Sequence, residues 1–405
     1  MLSVAKRSGA AMTCSSISSE RVAVAILVAV LSLMPGSSRA TDFQTPITVE
    51  DSALDLELAA ATTSSDGTDT WLVVTGHARG MPGQKATVRL VHLRAGTVQT
   101  STDIAPAMSL ASLPGGALPA GRRAVKGVVR SDDGGALVGL AEAGKPGVLL
   151  AFTPEGKARG SNGAVGVKSK PGVEMDILTR FADGRLLMIG RQESHPVLME
   201  LGPDGSIGRD WVLPQGKATL LARAASGSDG SLFMVGRGGE STRSMWLWLC
   251  ALSPAREITA ESTVDGNNGD LARLADGGFA LVYDEAADAS YDVFVKILGP
   301  DLKERSVKQV LKGQLFPSGY RIAPVPSGGF IVAGGKDRGL WIARYDSSGR
   351  ELWAESRTPV PPDIEMVSSV ELLARGDTFV VPYTAYVVKG REQRQIVRIL
   401  TFTTG

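Results

Sequence analysis

Apolar and polar residues fall in short blocks along this chain, and the same order of blocks returns roughly every 50 residues from Gly67 to Gly376. Each unit has a glycine-containing turn, an apolar stretch, a polar loop, a second apolar stretch and another turn. The first half is clearest in Phe181-Ala182-Asp183-Gly184-Arg185-Leu186-Leu187-Met188-Ile189-Gly190 and in Leu274-Ala275-Asp276-Gly277-Gly278-Phe279-Ala280-Leu281-Val282. Pro326-Ser327-Gly328-Gly329-Phe330-Ile331-Val332-Ala333-Gly334 repeats it. The second half reads strand, turn, strand in 341–353, and its turns Thr153-Pro154-Glu155-Gly156, Gly202-Pro203-Asp204-Gly205 and Gly299-Pro300-Asp301 carry residues that preset tight backbone turns. These stretches are too short and too closely bounded by glycine for helices. Their nearly continuous apolar runs predict strands buried on both faces, as in the middle of a stacked sheet.

Four short strands per unit of this length predict an all-β chain folded as a β-propeller. The turn glycines Gly67, Gly134, Gly184, Gly230, Gly277, Gly328 and Gly376 mark seven copies, hence seven four-stranded blades. Only the first interval is long, and a Gly-, Pro- and Ala-rich insertion at 109–122 accounts for it. The last copy ends on its third strand, 395–402, so the missing outer strand is expected from 46–50, near the N-terminus. That closure removes an exposed edge. No blade buries its faces alone, so 41–405 is expected to be a single domain.

Residues 1–40 read as a cleaved signal peptide. Lys6, Arg7 and Arg21 precede the apolar run 22–34, Pro35-Gly36 breaks it, and Ser38-Arg39-Ala40 has the small-x-small form of a cleavage site. The run is shorter than the roughly 20 apolar residues of a membrane span. The mature chain is therefore expected in the periplasm or outside the cell, as a monomer without a membrane span. Removing the leader takes Lys6, Arg7, Arg21, Arg39 and Glu20 from the 43 basic and 42 acidic residues, leaving a formal charge of −2. That balance implies neither a nucleic acid nor an anionic membrane as partner. Cys14 leaves with the leader, so Cys250 stands alone within an alternating apolar run and reads as a buried structural thiol.

His77, His92 and His195 have no metal-ligand spacing, and no Gly-x-Ser-x-Gly elbow is present. Gly329 to Lys336 misses the phosphate-loop spacing by one residue, Arg375-Gly376-Asp377 occupies a repeat turn, and Asp265 to Asp270 lacks a complete calcium-loop pattern. No catalytic residue, metal site or cofactor is assigned. Aligned copies place the segment after the second strand of every blade on one face. Four of these segments carry an ionisable residue after glycine: His77, Arg191, Arg237 and Lys336, with Arg338 close by. The fifth blade offers an acidic sector instead: Asp284, Glu285, Asp288 and Asp292. His77, Arg191, Arg237, Lys336 and Arg338 are the candidate partner-binding residues, since loops displayed on a rigid scaffold commonly carry binding.

The stretch from Leu340 to Trp353, ending Gly349-Arg350-Glu351-Leu352-Trp353, resembles the repeats of bacterial secreted β-propellers of the pyrroloquinoline-quinone-like type; Trp211 matches the terminal tryptophan as well. Quinone-dependent dehydrogenases of that family use an adjacent cysteine pair, which this chain lacks. The resemblance implies the fold, shared with non-enzymatic assembly proteins of the bacterial envelope. The expectation is an exported, non-enzymatic binding or assembly module that takes a protein or glycan partner of the envelope or extracellular space. The alternative is a lyase- or lactonase-type enzyme with a metal in the central channel.

Overall fold

The computed structural model describes residues 41–404 apart from 65–67, 79–86, 105–124, 142–146, 160–163, 166–171, 182–183, 194, 203–205, 215–219, 228, 240–244, 289, 315–318, 338, 358–363 and 390–391. The leader and the 109–122 insertion therefore lie outside the described residues. The strands form seven antiparallel sheets in a ring, a seven-bladed β-propeller. The blades span 54–103, 125–165, 174–212, 220–265, 269–314, 321–357 and 364–404.

In each of the first six blades consecutive strands pair in order, so each blade is a four-stranded meander. The first strands of adjacent blades pack side by side around the centre. Second and third strands are the most buried, as in Ala136–Leu140 and Trp246–Leu252, because neighbouring blades cover both their faces. Fourth strands such as Ile207–Val212 face outward and are mostly exposed. The hydrophobic interior is accordingly a series of slabs between blades. One slab joins Ile177, Leu187 and Leu198 of blade 3 to Met234, Trp248 and Cys250 of blade 4.

Ring closure follows the sequence expectation. Ile47–Val49 pairs with the third strand of blade 7, Glu392–Thr404, in the register Ile47↔Ile399 and Val49↔Val397. A second segment, Thr41–Phe43, extends this fourth strand to the end of the chain, with Thr41 opposite Thr404 and Phe43 opposite Phe402. The Phe43 ring packs on Phe402 at 5.0 Å and edge-on to Trp353 of blade 6 at 6.3 Å, so the closing strand is clamped by the terminal tryptophan of the neighbouring blade.

The turn between first and second strands explains the recurring glycines. Gly134, Gly184, Gly230, Gly277 and Gly328 all have positive φ, from 81° to 104°. Where a second glycine follows, the reason is close approach: a Cβ on Gly329 would lie 2.0 Å from the Tyr345 carbonyl oxygen, and one on Gly135 2.1 Å from that of Phe152. The turn aspartates also clasp the next blade. Arg273 of blade 5 donates to Asp229 of blade 4 at 2.9 Å, and Arg180 of blade 3 donates to Asp132 and to the Arg130 carbonyl of blade 2. Exposed pairs of this kind contribute about 0.2–1 kcal/mol each. Their repetition orients successive blades.

Candidate functional site

The centre of the ring is lined by the seven first strands, and each blade contributes a charged residue there. In blade order these are Glu57, Lys126, Asp176, Arg223, Asp270, Arg321 and Glu371. The sign alternates from blade to blade, and the odd number leaves two carboxylates side by side at the closure of blades 7 and 1. There Ser369 donates to Glu57 at 3.2 Å. Opposite charges therefore alternate along the channel wall from blade 1 to blade 7, which moderates the cost of desolvating them.

Blades 4, 6 and 7 share one cluster. Arg223 Nη2 of blade 4 donates to Glu371 Oε1 of blade 7 at 2.8 Å. These blades are not neighbours, so the bond crosses the central channel. Arg321 of blade 6 joins it, its Nε 3.2 Å from Glu371 Oε2 and its Nη2 3.2 Å from Oε1. Glu371 follows the strand Ile364–Val370 at an irregular point, beyond a register shift at Ser368/Val370 and the left-handed Ser369, φ 48°.

Asp270 of blade 5 faces the same cluster. Its Oδ2 accepts the Ile322 N–H of blade 6 at 3.1 Å. Burial pushes its carboxyl up to about 6; Glu371 adds to the rise, while Arg223 and the backbone donors oppose it. In the unfolded chain Asp ionises near 3.9. Between these values the native state holds more protons, so this group's contribution to stability falls as pH rises from about 4 to about 6, then levels off. Asp270→Asn is therefore expected to gain stability relative to the native sequence as pH rises through that window, read as the difference in urea midpoint at successive pH values. A difference that stays flat, or runs the other way, contradicts the assignment.

Blades 2 to 4 hold a second cluster at the end of the channel where the second strands finish. Arg191 Nε lies 2.5 Å from Asp176 Oδ2, and its Nη2 lies 3.2 Å from both Asp176 Oδ1 and Glu174 Oε2. Asp176 Oδ2 also accepts the Leu221 N–H of blade 4 at 3.3 Å, tying two blades together. Asp176 is 2% and Arg191 17% exposed. Lys126 stands beside them with its pKa pushed down, first by burial and then by the Arg191 charge, against the pull of Asp176 and Glu174.

The candidate partner residues end up at the ends of second strands, not in loops. His77, Arg191, Arg237 and Lys336 lie in Asp69–Ala78, Leu186–Gln192, Leu232–Gly238 and Phe330–Lys336, all finishing at the same end of the ring. Arg191 turns inward to the channel carboxylates. Arg237 is half-buried and its charge bears on Asp284. His77 and Lys336 pair with no described side chain, and Arg338 lies outside the described residues. The acidic sector is corrected at Asp284, which is wholly buried: Asn268 donates to it at 2.9 Å, and desolvation pushes its carboxyl up to about 6.

Among the described residues no three His, Cys, Asp or Glu side chains are placed to share a metal ion. His92 is buried, stacked on Trp71 at 3.9 Å and bonded to Asp69 at 3.1 Å. Cys250 is buried in the blade 3–4 slab, and burial pushes its thiol up to about 12, far from thiolate chemistry. The segment from Gly329 to Lys336 is strand, and Arg375-Gly376-Asp377 is a turn with Gly376 at φ 56°. No described helix is long and apolar enough to cross a membrane.

The channel charges were missed by linear motif reading, although a signal exists. In blades 2 to 6 each stands seven or eight residues before the turn glycine: Lys126, Asp176, Arg223, Asp270 and Arg321. Aligning the copies on that glycine exposes the alternation of sign.

No family model matches this sequence, and no curated protein does. Among solved structures, the polysaccharide lyase Uly1 aligns over 90% of this chain and 100% of its own, at a TM-score of 0.58 and 9% identity. A protein of unknown function from Dyadobacter fermentans aligns over 89% of this chain and 99% of its own, with a TM-score of 0.54 and 11% identity. The quinone-bound aldose sugar dehydrogenase of Streptomyces coelicolor aligns over 89% and 98%, with a TM-score of 0.43 and 14% identity. At such identities the likeness concerns fold alone. The chain is a seven-bladed β-propeller.

Proposed function

We propose that this chain is an exported binding module, a propeller whose basic face takes an anionic glycan or an acidic protein segment of the cell envelope. The observation that supports this most is the contrast between channel and face. Most channel charges are engaged with one another or with backbone N–H groups, whereas His77 and Lys336 at the end of the ring have no partner among the described residues. The Lys336 charge and the His77 imidazole, displayed on a rigid scaffold, suit weak, salt-dependent recognition of anions. The leader-like 1–40 segment supports export, and the likeness of 340–353 to secreted quinone-type repeats supports an envelope setting. The lyase or lactonase alternative lacks a metal-ligand set among the described residues.

The test is binding of the mature chain to immobilised polygalacturonate and, separately, polyglutamate, beside a His77→Glu/Lys336→Glu variant. Neither side chain pairs with another among the described residues, so the variant is expected to keep its melting temperature and lose about tenfold in affinity. The polymer that binds identifies the partner class. Unchanged affinity in the folded variant, or no binding of either polymer even at low salt, removes the reading.

A further inference from the structure

We propose that Arg223 and Arg321 form a channel site for the carboxylate of a small organic acid, a site filled by the protein's own Glu371 when no ligand is bound. Two guanidiniums converge on this one carboxylate from blades 4 and 6. Arg321 presents Nε and Nη2 side by side, the planar fork that recognises carboxylates. Arg223 gives Glu371 only its Nη2. Its Nε and Nη1 have no partner among the described residues, and 32% of its side chain is exposed. With five N–H donors on each guanidinium, the pair has donors left over after Glu371 is satisfied.

The occupant also stands on unusual backbone. The first strand of blade 7 is interrupted between Val370 and Leu373, just after the left-handed Ser369. A non-glycine residue in that region is costly, and such conformations cluster at clamps and switches. Glu371 can therefore release its carboxylate without unzipping a regular ladder, since its own N–H bonds separately to the Pro382 carbonyl at 3.0 Å. The exchange makes and breaks no covalent bond: ligand carboxylate replaces side-chain carboxylate between the same donors. Asp270, facing the cluster, accepts from the Leu271 and Ile322 N–H groups and bonds to neither arginine, so it does not fill the site.

This site is separate from the outer face, and its test contains no macromolecule, so either reading can fail without the other. The probe is sodium lactate, titrated into the mature chain, a Glu371→Gln variant and a Glu371→Gln/Arg223→Gln variant. Sodium chloride at equal ionic strength and neutral glycerol serve as controls. Calorimetry and thermal melting are both read. Lactate is expected to raise the melting temperature of the native sequence more than chloride does, and to bind Glu371→Gln about tenfold more tightly because the internal competitor is gone. The double variant is expected to lose the response. A folded Glu371→Gln that responds to lactate no more than to chloride overturns the proposal. If Glu371→Gln does not fold, Glu371→Asp, charged but shorter, takes its place. It is expected to bind lactate more tightly than the native sequence, and no lactate-specific response in either form overturns the proposal equally.

Discussion

Asp176→Ala is expected to destabilise the ring by about 3 kcal/mol or more, in the range for breaking a buried ion pair. Asp176 is 2% exposed and holds three contacts: both nitrogens of the Arg191 fork and the Leu221 N–H of the next blade. Removing it leaves Arg191 beside Lys126, two desolvated cations, with Glu174 half-exposed next to them. The penalty comes from stranding charge, so deleting both partners of the pair should cost much less. Urea unfolding of Asp176→Ala, Arg191→Met and the double variant measures this. A double variant no more stable than Asp176→Ala contradicts it. The same geometry bears on Arg191 as a partner-binding residue. Reversing its charge would place a third carboxylate against Asp176 and Glu174, so lost binding in such a variant would report a damaged ring rather than a lost contact.

Deletion of residues 41–49 is expected to be the most damaging truncation of the propeller. It removes the outer strand of blade 7 and leaves the long strand Glu392–Thr404 as an open edge. Val49 leaves the slab between blades 7 and 1, a loss of about 1.5–3 kcal/mol for a buried side chain of this kind, and the partly buried Phe43 leaves the slab between blades 6 and 7. The backbone pairings from Thr41 to Val49 go with them, including the Gln44 N–H to the Thr401 carbonyl at 2.8 Å. An unpaired edge of this length invites strand addition from a second chain. The truncated protein should therefore melt early and associate, measured by light scattering during a thermal ramp. Supplying 41–49 as a synthetic peptide should suppress that association. A truncated chain that remains monomeric with an unchanged melting temperature would show that blade 7 closes without this strand.

Much of this architecture was legible along the chain because its causes are local. A turn that needs positive φ selects glycine, and six of the seven marker glycines, Gly134 to Gly376, sit in such turns. A strand covered on both faces must be apolar throughout, and Leu186 to Ile189 or Phe330 to Ala333 show it directly. The closing strand was legible by subtraction: seven units with one strand short, and a spare strand at 46–50. The terminal tryptophan Trp353 was legible as a feature of the repeat, but not its contact with Phe43, which lies some 300 residues away in the chain.

What a charged side chain does was not legible, because that depends on which blades the ring brings together. Arg191 and Lys336 occupy nearly the same place in their repeats, yet Arg191 is drawn into the channel by Asp176 while Lys336 meets no described partner. Asp284 reads as a solvated acid and is fully buried, with Asn268 donating to its carboxylate. The bond from Arg223 to Glu371 joins blades that are distant in sequence and not adjacent in the ring. The sequence by itself determined the number of blades, their turns and the means of closure, all properties of short segments with a fixed period. Only the tertiary structure decided which charges face one another across the centre, because a circular arrangement converts separations of many residues into hydrogen-bond distances.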